Sequence, residues 1–485
     1  MFYKEGRRTE ALFAIKQCLA ADPAEMKARI FRMIYQLPVL YESEPEIAER
    51  RAAYETELRV LHDLIMANPQ PSRYAAAAAV SQPFFLAYQG YADRDLQSLY
   101  GAMMCRIMAG HAPDPAGVAP AGRRIRLGFV SGFFYQHPVW RAPLRGWVTQ
   151  LDRARFEVLG YHTGARRDAE TATAIASCDR FVQGPAEPSA WRARILADAP
   201  DVLIYPEIGM DPVAAQLAAQ RLALVQCNSW GHPETSGMPT LDYFLSCAEM
   251  EPDDGDEHYS ERLVRLPGLS VHYEPRDIRD VAFSRDDMGA RRGIPVFWCG
   301  QSLYKYLPQF DTIFPRIAHE IGACQFVFIS YPYGNVVTER FRKRLARAFA
   351  SFGLNADEYC LILPRLDGHQ FAAAIGQCDI VLDSLGWAGF NSSLESLLHD
   401  RPIVTFQGPL MRGRHTAAVM RIMGLPDAVA RTVDEYVQIA VSLACDRAKR
   451  EHMSRRIATA KFRTYRDHAP ITALEDFLEK AVRGT

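Results

Sequence analysis

The feature that most limits the fold of this chain is an alternation of strands and helices that begins near Arg124, stops, and begins again after Pro275. Residues 124–132, 156–164, 201–209 and 223–231 are short, nearly continuous apolar runs that end in glycine. Runs of this length bounded by turn residues read as buried strands, and the alanine-rich stretches between them read as helices. The pattern resumes in residues 295–301, 324–330, 360–364, 379–384 and 402–406, with helical stretches such as 337–352 and 368–378 between them. Strands alternating with helices make parallel, doubly wound sheets. The expected class is α/β, with two facing Rossmann-like lobes and a deep cleft at the C-terminal ends of their strands.

Ahead of the lobes, residues 1–110 read as an α-helical domain. Ala11, Leu12, Ile15, Cys18 and Leu19 recur at helical spacing until Ala21-Asp22-Pro23 stops the run. Ile47, Tyr54, Leu58, Leu61 and Ile65 form one stripe of a second helix, which Pro45 suits as an opening residue. The first of these resembles the second half of a tetratricopeptide repeat, and a single half-unit argues against a long superhelical array. Residues 111–123 concentrate proline and glycine and read as a linker. The expected division is 1–110, linker 111–123, first lobe 124–280 and second lobe 281–485, the last including C-terminal helices.

Composition excludes several functions. Lys and Arg number 56 against 57 Asp and Glu in 485 residues, a net charge of -1, so no basic excess exists for a nucleic-acid or membrane-surface binder. The ten cysteines are widely spaced without a CxxC pair, which reads as single buried thiols in a reducing compartment. Charges through the first twenty residues and the lack of a run of about 18 apolar residues argue against a signal peptide and a membrane span. The expectation is a soluble cytoplasmic protein.

The strongest local signal is Leu382-Asp383-Ser384-Leu385-Gly386-Trp387-Ala388-Gly389-Phe390-Asn391-Ser392-Ser393-Leu394-Glu395. A strand ends here, a glycine-containing loop lets backbone approach a ligand, and Asn391 or Ser392 reads as the N-cap of a helix whose amides suit a diphosphate. Glu395, one turn in, can accept hydrogen bonds from ribose hydroxyls. The competing reading is an ordinary capped helix with a solvated glutamate. Gln301-Ser302-Leu303-Tyr304-Lys305 follows the first strand of the second lobe, where Lys305 either neutralises a departing diphosphate or is a surface lysine. His137 ends the loop after the first strand of the first lobe and suits proton handling, or is structural. Residues 230–237, with His232, Pro233, Thr235, Ser236 and Gly237, read as a loop that cradles an acceptor or as a tight turn. Asp253, Asp254 and Asp256 read as a solvated turn rather than a metal site. Arg414, in the basic cluster Arg412-Gly413-Arg414-His415, faces phosphate or caps its loop.

From Arg124 onward these motifs, in this order, resemble glycosyltransferase family 41, the protein O-linked N-acetylglucosamine transferases and their SPINDLY relatives. The resemblance is carried by RIRLGFVSGFFYQHP, VQCNSWGHPETSGMPTLDYFLS, HYSERLVRLP, LYKYLP, CDIVLDSLGWAGFNSSLESL and the Arg414 segment. It implies a GT-B fold, with the first lobe on the acceptor side and the second holding a uridine diphosphate sugar. It also implies inversion at the anomeric carbon without a metal or other cofactor, and tetratricopeptide repeats ahead of the catalytic region. Lys305 matches the family's diphosphate lysine, and Glu395 an acidic ribose-holding position. Asn391, Ser392 and Ser393 match the diphosphate-binding polar run, and His137 the sugar-site histidine. Leu366 falls where backbone reads uracil, and Gln301 and Arg414 complete the donor set. Animal members have His at Phe390 and Asp at Glu395, and a family histidine once proposed as base aligns near Asp201 or Val202. The resemblance thus implies transfer of a sugar, N-acetylglucosamine first, from its UDP donor to Ser or Thr of an acceptor protein or peptide. Alternatives are glucosylation of Asn, a nucleotide-sugar epimerase, and a helical-repeat adaptor with inactive lobes. Neither nucleic acid nor membrane insertion is expected.

Overall fold

The protein is described by a computed structural model that covers residues 2–78, 80–109, 122–277 and 281–483. Of the expected linker, residues 111–121 lie outside the described residues.

The helical segment contains α1 (Arg8–Ala21), α2 (Met26–Ile34), α3 (Glu44–Met66) and α4 (Arg94–Met108). Ser43 caps α3 by accepting from Glu46 N, and Pro45 stands in its first turn, where no amide donor is needed. Tyr54, Leu58, Leu61 and Ile65 of its buried stripe pack with Tyr100, Met103 and Met104 of α4 in one apolar cluster. Between α3 and α4, a 3-10 segment Phe84–Gln89 carries aromatic residues towards both lobes.

The first lobe is a seven-stranded, wholly parallel sheet. Its strands are β1 (Ile125–Ser131), β2 (Phe156–His162), β3 (Arg180–Gln183), β4 (Val202–Tyr205), β5 (Val225–Ser229), β6 (Tyr243–Cys247) and β7 (Arg262–Leu266), in the order β3-β2-β1-β4-β5-β6-β7. The second lobe has β8 (Val296–Trp298), β9 (Gln325–Ile329), β10 (Cys360–Leu363), β11 (Ile380–Leu382), β12 (Ile403–Phe406) and β13 (Val429–Ala430), ordered β10-β9-β8-β11-β12-β13. The helices that bear on the site are α5 (Gly368–Gln377), α6 (Asn391–Leu398), α7 (His415–Ile422) and α8 (Ala469–Arg483).

The structure departs from the sequence expectation in two ways. Four strands, β3, β6, β7 and β13, join the nine expected ones. The edge strands β3 and β7 are half exposed and carry arginines, so their sequences lack the continuous apolar run of a central strand. The final helix α8, expected with the second lobe, crosses back to the first. Arg155 there binds Glu475, Asp476 and Glu479, and Tyr243 packs edge-on against Phe477. None of the ten cysteines is disulfide-bonded. Among the described residues, no helix is long and apolar enough to cross a membrane.

Candidate active site

A doubly wound sheet leaves a crevice where successive connections diverge to opposite faces. In this chain that point lies between β1 and β4 in the first lobe and between β8 and β11 in the second. The segments leaving β1, β8 and β11 are those that carry His137, Lys305 and the run from Asp383 to Glu395. Strand order alone therefore brings the three principal sequence motifs to one place.

The loop from β11 to α6 is built on Asp383. Its Oδ1 accepts from Ser384 N at 3.1 Å and Gly389 N at 2.7 Å, and its Oδ2 accepts from Thr405 Oγ1 at 2.9 Å. The Gly389 carbonyl accepts from Thr416 Oγ1 at 2.8 Å, and that hydroxyl lies 2.7 Å from Ser393 Oγ. Gly389 is a steric requirement: a Cβ there would stand 2.5 Å from both Gln301 Nε2 and Ser392 Oγ and 2.8 Å from Ser393 Oγ. Three polar side chains thus converge over one bare backbone position at the start of α6. Such a helix start, with free amides and donors around it, favours an anion.

Lys305 ends a 3-10 turn, Leu303–Lys305, after β8. Its Nζ donates to Gln301 Oε1 at 3.1 Å, and Gln301 Nε2 donates to Ser392 Oγ at 2.6 Å, so lysine, glutamine and helix start form one chain of contacts. Burial pushes the Lys305 ammonium down to about 8, and the neighbouring Asp383 carboxylate opposes that fall. Lys305 is half-buried between Trp387 and Gln301 rather than a freely solvated surface lysine.

Two expectations about α6 change. Phe390 occupies the N-cap position without a side-chain cap, so neither Asn391 nor Ser392 caps the helix. Ser392 serves Gln301, and Asn391 Nδ2 donates across the cleft to the Pro138 carbonyl at 3.3 Å. Nor is Glu395 solvated: it is 7% exposed and its Oε1 lies 2.5 Å from Arg141 Nη1 of the first lobe and 3.5 Å from Arg276 Nη1. Arg276 Nη1 also donates to the Gly368 carbonyl at the start of α5, beside half-buried Leu366. Glu395, Arg276 and the Leu366 loop thus adjoin.

On the opposite wall, His137 stacks on Phe133 with centroids 4.1 Å apart. Its Nδ1 accepts from Val139 N at 3.2 Å, which puts the ring proton on Nε2. Burial and nearby Arg166 lower its pKa to about 4. A neutral ring with Nδ1 already occupied presents Nε2–H as a hydrogen-bond donor. Where the family histidine aligns, Asp201 precedes β4, at the N-terminal end of the strand and away from the cleft, and Arg123 holds it through two 2.7 Å bonds; Val202 is buried core.

The loop after β5 is anchored rather than open. Glu261 accepts from Thr235 Oγ1 and from Ser236 N and Oγ, and Gly237, at φ +68°, lies against α4 so closely that a Cβ would meet Gln97 O at 1.8 Å. Gly237 thus meets the helical segment closely, while Thr235 and Ser236 are held by Glu261 within the first lobe. Pro233 is buried in the same loop. His232 faces Phe84 at 5.1 Å and Trp387 at 6.0 Å, and burial lowers its pKa to about 3.

Arg414 donates to the Gly408 carbonyl and lies near Glu251, Asp253 and Asp254, whereas its neighbour His415 is buried beside Lys305, Trp230 and Phe390. The Gly408 contact of Arg414 is the loop-capping alternative. Asp256 pairs with Arg265 at 2.5 Å, and among the described residues no three His, Cys, Asp or Glu side chains converge as a metal site would. Sequence reasoning missed Arg141, Arg276, Asp383 as the loop's organiser, and Tyr88, which stacks on Trp387 with centroids 4.0 Å apart.

Comparison with known proteins agrees with this geometry. Residues 297–468, which contain Lys305, Leu366, Gly389 and Glu395, match the model of glycosyl transferase family 41. SPINDLY of Petunia hybrida, named as a probable UDP-N-acetylglucosamine–peptide N-acetylglucosaminyltransferase, is 26% identical over 339 residues, 67% of this chain and 35% of its own length. Over residues 297–468 the chain resembles glycosyltransferase family 41. The Arabidopsis thaliana SPINDLY is 27% identical over 340 residues, with the same coverage. A UDP-glucose:protein N-beta-glucosyltransferase of Actinobacillus pleuropneumoniae is 24% identical over 53% of this chain and 40% of its own length. The chain spans about a third of the length of the plant relatives it matches. A mutant O-GlcNAc transferase of Thermobaculum terrenum superposes with a TM-score of 0.69 at 22% identity, over 100% of this chain and 95% of that one. The fold of this chain is GT-B.

Proposed function

We propose that this chain is an inverting, metal-independent glycosyltransferase that moves a sugar, N-acetylglucosamine first, from its UDP donor to a Ser or Thr hydroxyl of a protein. The observation that carries the reading is the convergence of Lys305, Gln301, Ser392 and Ser393 over Gly389 at a helix start, with Glu395 one turn in. A leaving nucleoside diphosphate gains negative charge as the glycosidic bond breaks, and a buried lysine with preorganised donors stabilises that charge most where water is excluded. Glu395 and the Leu366 loop hold ribose and uracil. His137, as an Nε2–H donor, bonds a sugar oxygen. The acceptor oxygen attacks C1 as the bond from C1 to the diphosphate oxygen breaks, and the hydroxyl proton is released. No side chain is assigned as base. The names of the plant relatives support the choice of sugar and acceptor, and ten unpaired thiols support a cytoplasmic setting.

The deciding experiment incubates the purified protein with a panel of labelled nucleotide sugars and cell lysate, with EDTA in a parallel arm, and identifies the modified residue by mass spectrometry. Label on Ser or Thr, undiminished by EDTA, is expected. Label on Asn from UDP-glucose would move the assignment to N-glucosylation, and dependence on a divalent cation would overturn the metal-free reading. Conversion of the donor without transfer would favour an epimerase, and no reaction at all an adaptor.

A further inference from the structure

The ribose-side glutamate is held by a residue from the opposite lobe. Arg141 lies one turn beyond His137, and its backbone N–H donates to the His137 carbonyl at 3.0 Å. Its guanidinium is nearly buried, with 12% of the side chain exposed. One nitrogen reaches Glu395 Oε1 at 2.5 Å and the other reaches the Tyr273 hydroxyl at 3.1 Å. A planar fork that satisfies two partners fixes its own direction as well as theirs. Arg276, the second cation on this carboxylate, approaches the same Oε1. No hydrogen bond among the described residues reaches Oε2. The carboxylate is thus oriented by one oxygen and keeps the other as an acceptor.

The same few residues form a second tether. Asn391, at the start of α6, donates to the Pro138 carbonyl, so the His137 loop is tied to α6 at its first turn and again one turn later. Ribose contact and sugar contact therefore depend on a single docking of this loop on this helix. We infer that Arg141 is a positioning residue for transfer: it presents Glu395 Oε2 to the ribose and docks the His137 loop on α6, so that occupancy of the nucleoside site closes the lobes over the donor sugar. This rests on the nucleotide reading above and adds to it the coupling between nucleoside binding and lobe closure. A ligand that binds better when the bridge is formed must favour the closed state by its differential affinity.

The perturbation is mild for the fold, because Arg276 still neutralises Glu395 when Arg141 is removed. Arg141→Met keeps an unbranched apolar stem and deletes the fork. Uridine diphosphate is titrated by calorimetry, and amide exchange across residues 137–141 is followed with and without it. In the unmodified protein, uridine diphosphate should slow exchange in that loop about tenfold or more. In Arg141→Met its dissociation constant should rise about three- to tenfold and the loop should no longer be protected by ligand. Arg141→Lys should recover part of the affinity but little of the protection, since one ammonium cannot reach Glu395 and Tyr273 together. With Glu395→Ala already present, Arg141→Met should cost almost nothing further. Losses that simply add, or a lower melting temperature with unchanged affinity and protection, would overturn the inference and leave the nucleotide site standing. If the unmodified protein binds no uridine diphosphate, the nucleotide reading falls and this inference with it.

Discussion

Lys305 offers the most discriminating perturbation, because its burial makes the same residue readable in two independent ways. With a pKa of about 8, it is protonated in about nine molecules of ten at pH 7, which follows from one unit of separation. A diphosphate binds the charged form and raises the pKa of the complex. Ligand affinity is therefore fully present below about pH 8 and is lost as pH rises through that value, by up to tenfold per unit. Above the second ionisation of the diphosphate near pH 6, no other contribution of this sign is needed. Lys305→Met deletes the charge while keeping most of the apolar stem against Trp387. The ground-state diphosphate retains the α6 amides, Gln301 and Ser392, so its affinity should fall by about one decade. The extra charge that develops on bond breaking loses its nearest cation, and by analogy with an oxyanion donor this costs about 2.7–4 kcal/mol, or two to three decades in turnover.

The assay is a set of calorimetric titrations with uridine diphosphate from pH 7 to 9.5, on both proteins, together with turnover at pH 7. The unmodified protein should show a dissociation constant that is flat to about pH 8 and then rises, and Lys305→Met should show no inflection. A flat profile in the unmodified protein would refute the buried-lysine argument. Equal losses in affinity and turnover would mean that Lys305 is a uniform binding contact with no special part in bond breaking.

Gly389→Ala should weaken uridine diphosphate binding at least tenfold by calorimetry while the protein stays folded by circular dichroism, because the new methyl occupies the point where Gln301 Nε2 and Ser392 Oγ meet. Asp383→Asn removes the negative charge that opposes the fall in the Lys305 pKa, so the inflection in affinity should move below pH 8, with a stability loss of about 1–3 kcal/mol in denaturant titration. Tyr88→Ala should move that inflection the other way, towards the ordinary lysine range, by admitting water beside Lys305. Arg412→Met leaves Glu234 buried without a cation, while Asp93 keeps Arg51, and should cost about 3–5 kcal/mol of stability, read as a lowered denaturation midpoint.

What the sequence disclosed and what it hid divide along a physical line. Central strands buried on both faces announce themselves as apolar runs, and the loops that follow them carry Lys305, His137 and Glu395 to the cleft because a parallel sheet leaves little choice. Edge strands such as β7, with Arg262 and Arg265 exposed to solvent, announce nothing. The N-cap of α6 was misread because Asn391 and Ser392 have the right chemistry for a cap and spend it instead on Pro138 and Gln301. Arg141 lies 254 positions from Glu395, and Arg276 lies 119 positions from it. No local pattern encodes a contact of that kind. A weak hint existed in Arg141 itself, a charge set among Trp140, Ala142, Pro143 and Leu144, where burial of the neighbours requires the guanidinium to find a partner.

The helical segment belongs physically to the same centre. Tyr88 stacks on Trp387, Lys305 lies 5.7 Å from the Trp387 ring, and Phe84 stacks on His232, so one aromatic cluster joins the helical segment to both lobes beside Lys305. Below it, Arg412 of the second lobe binds Glu234 of the first at 2.9 Å and Asp93 of the helical segment at 3.1 Å, all three buried. The Arg412 guanidinium thus ties the two lobes and the helical segment together through one buried polar cluster, in which Asp93 is also paired with Arg51. Separation of the helical segment would leave Arg412 with Glu234 alone and would uncover Trp387 and Lys305 together. The burial that sets the Lys305 pKa is therefore supplied in part by residues that precede the lobes, and the chemistry of the second lobe is tied to the presence of the first hundred residues.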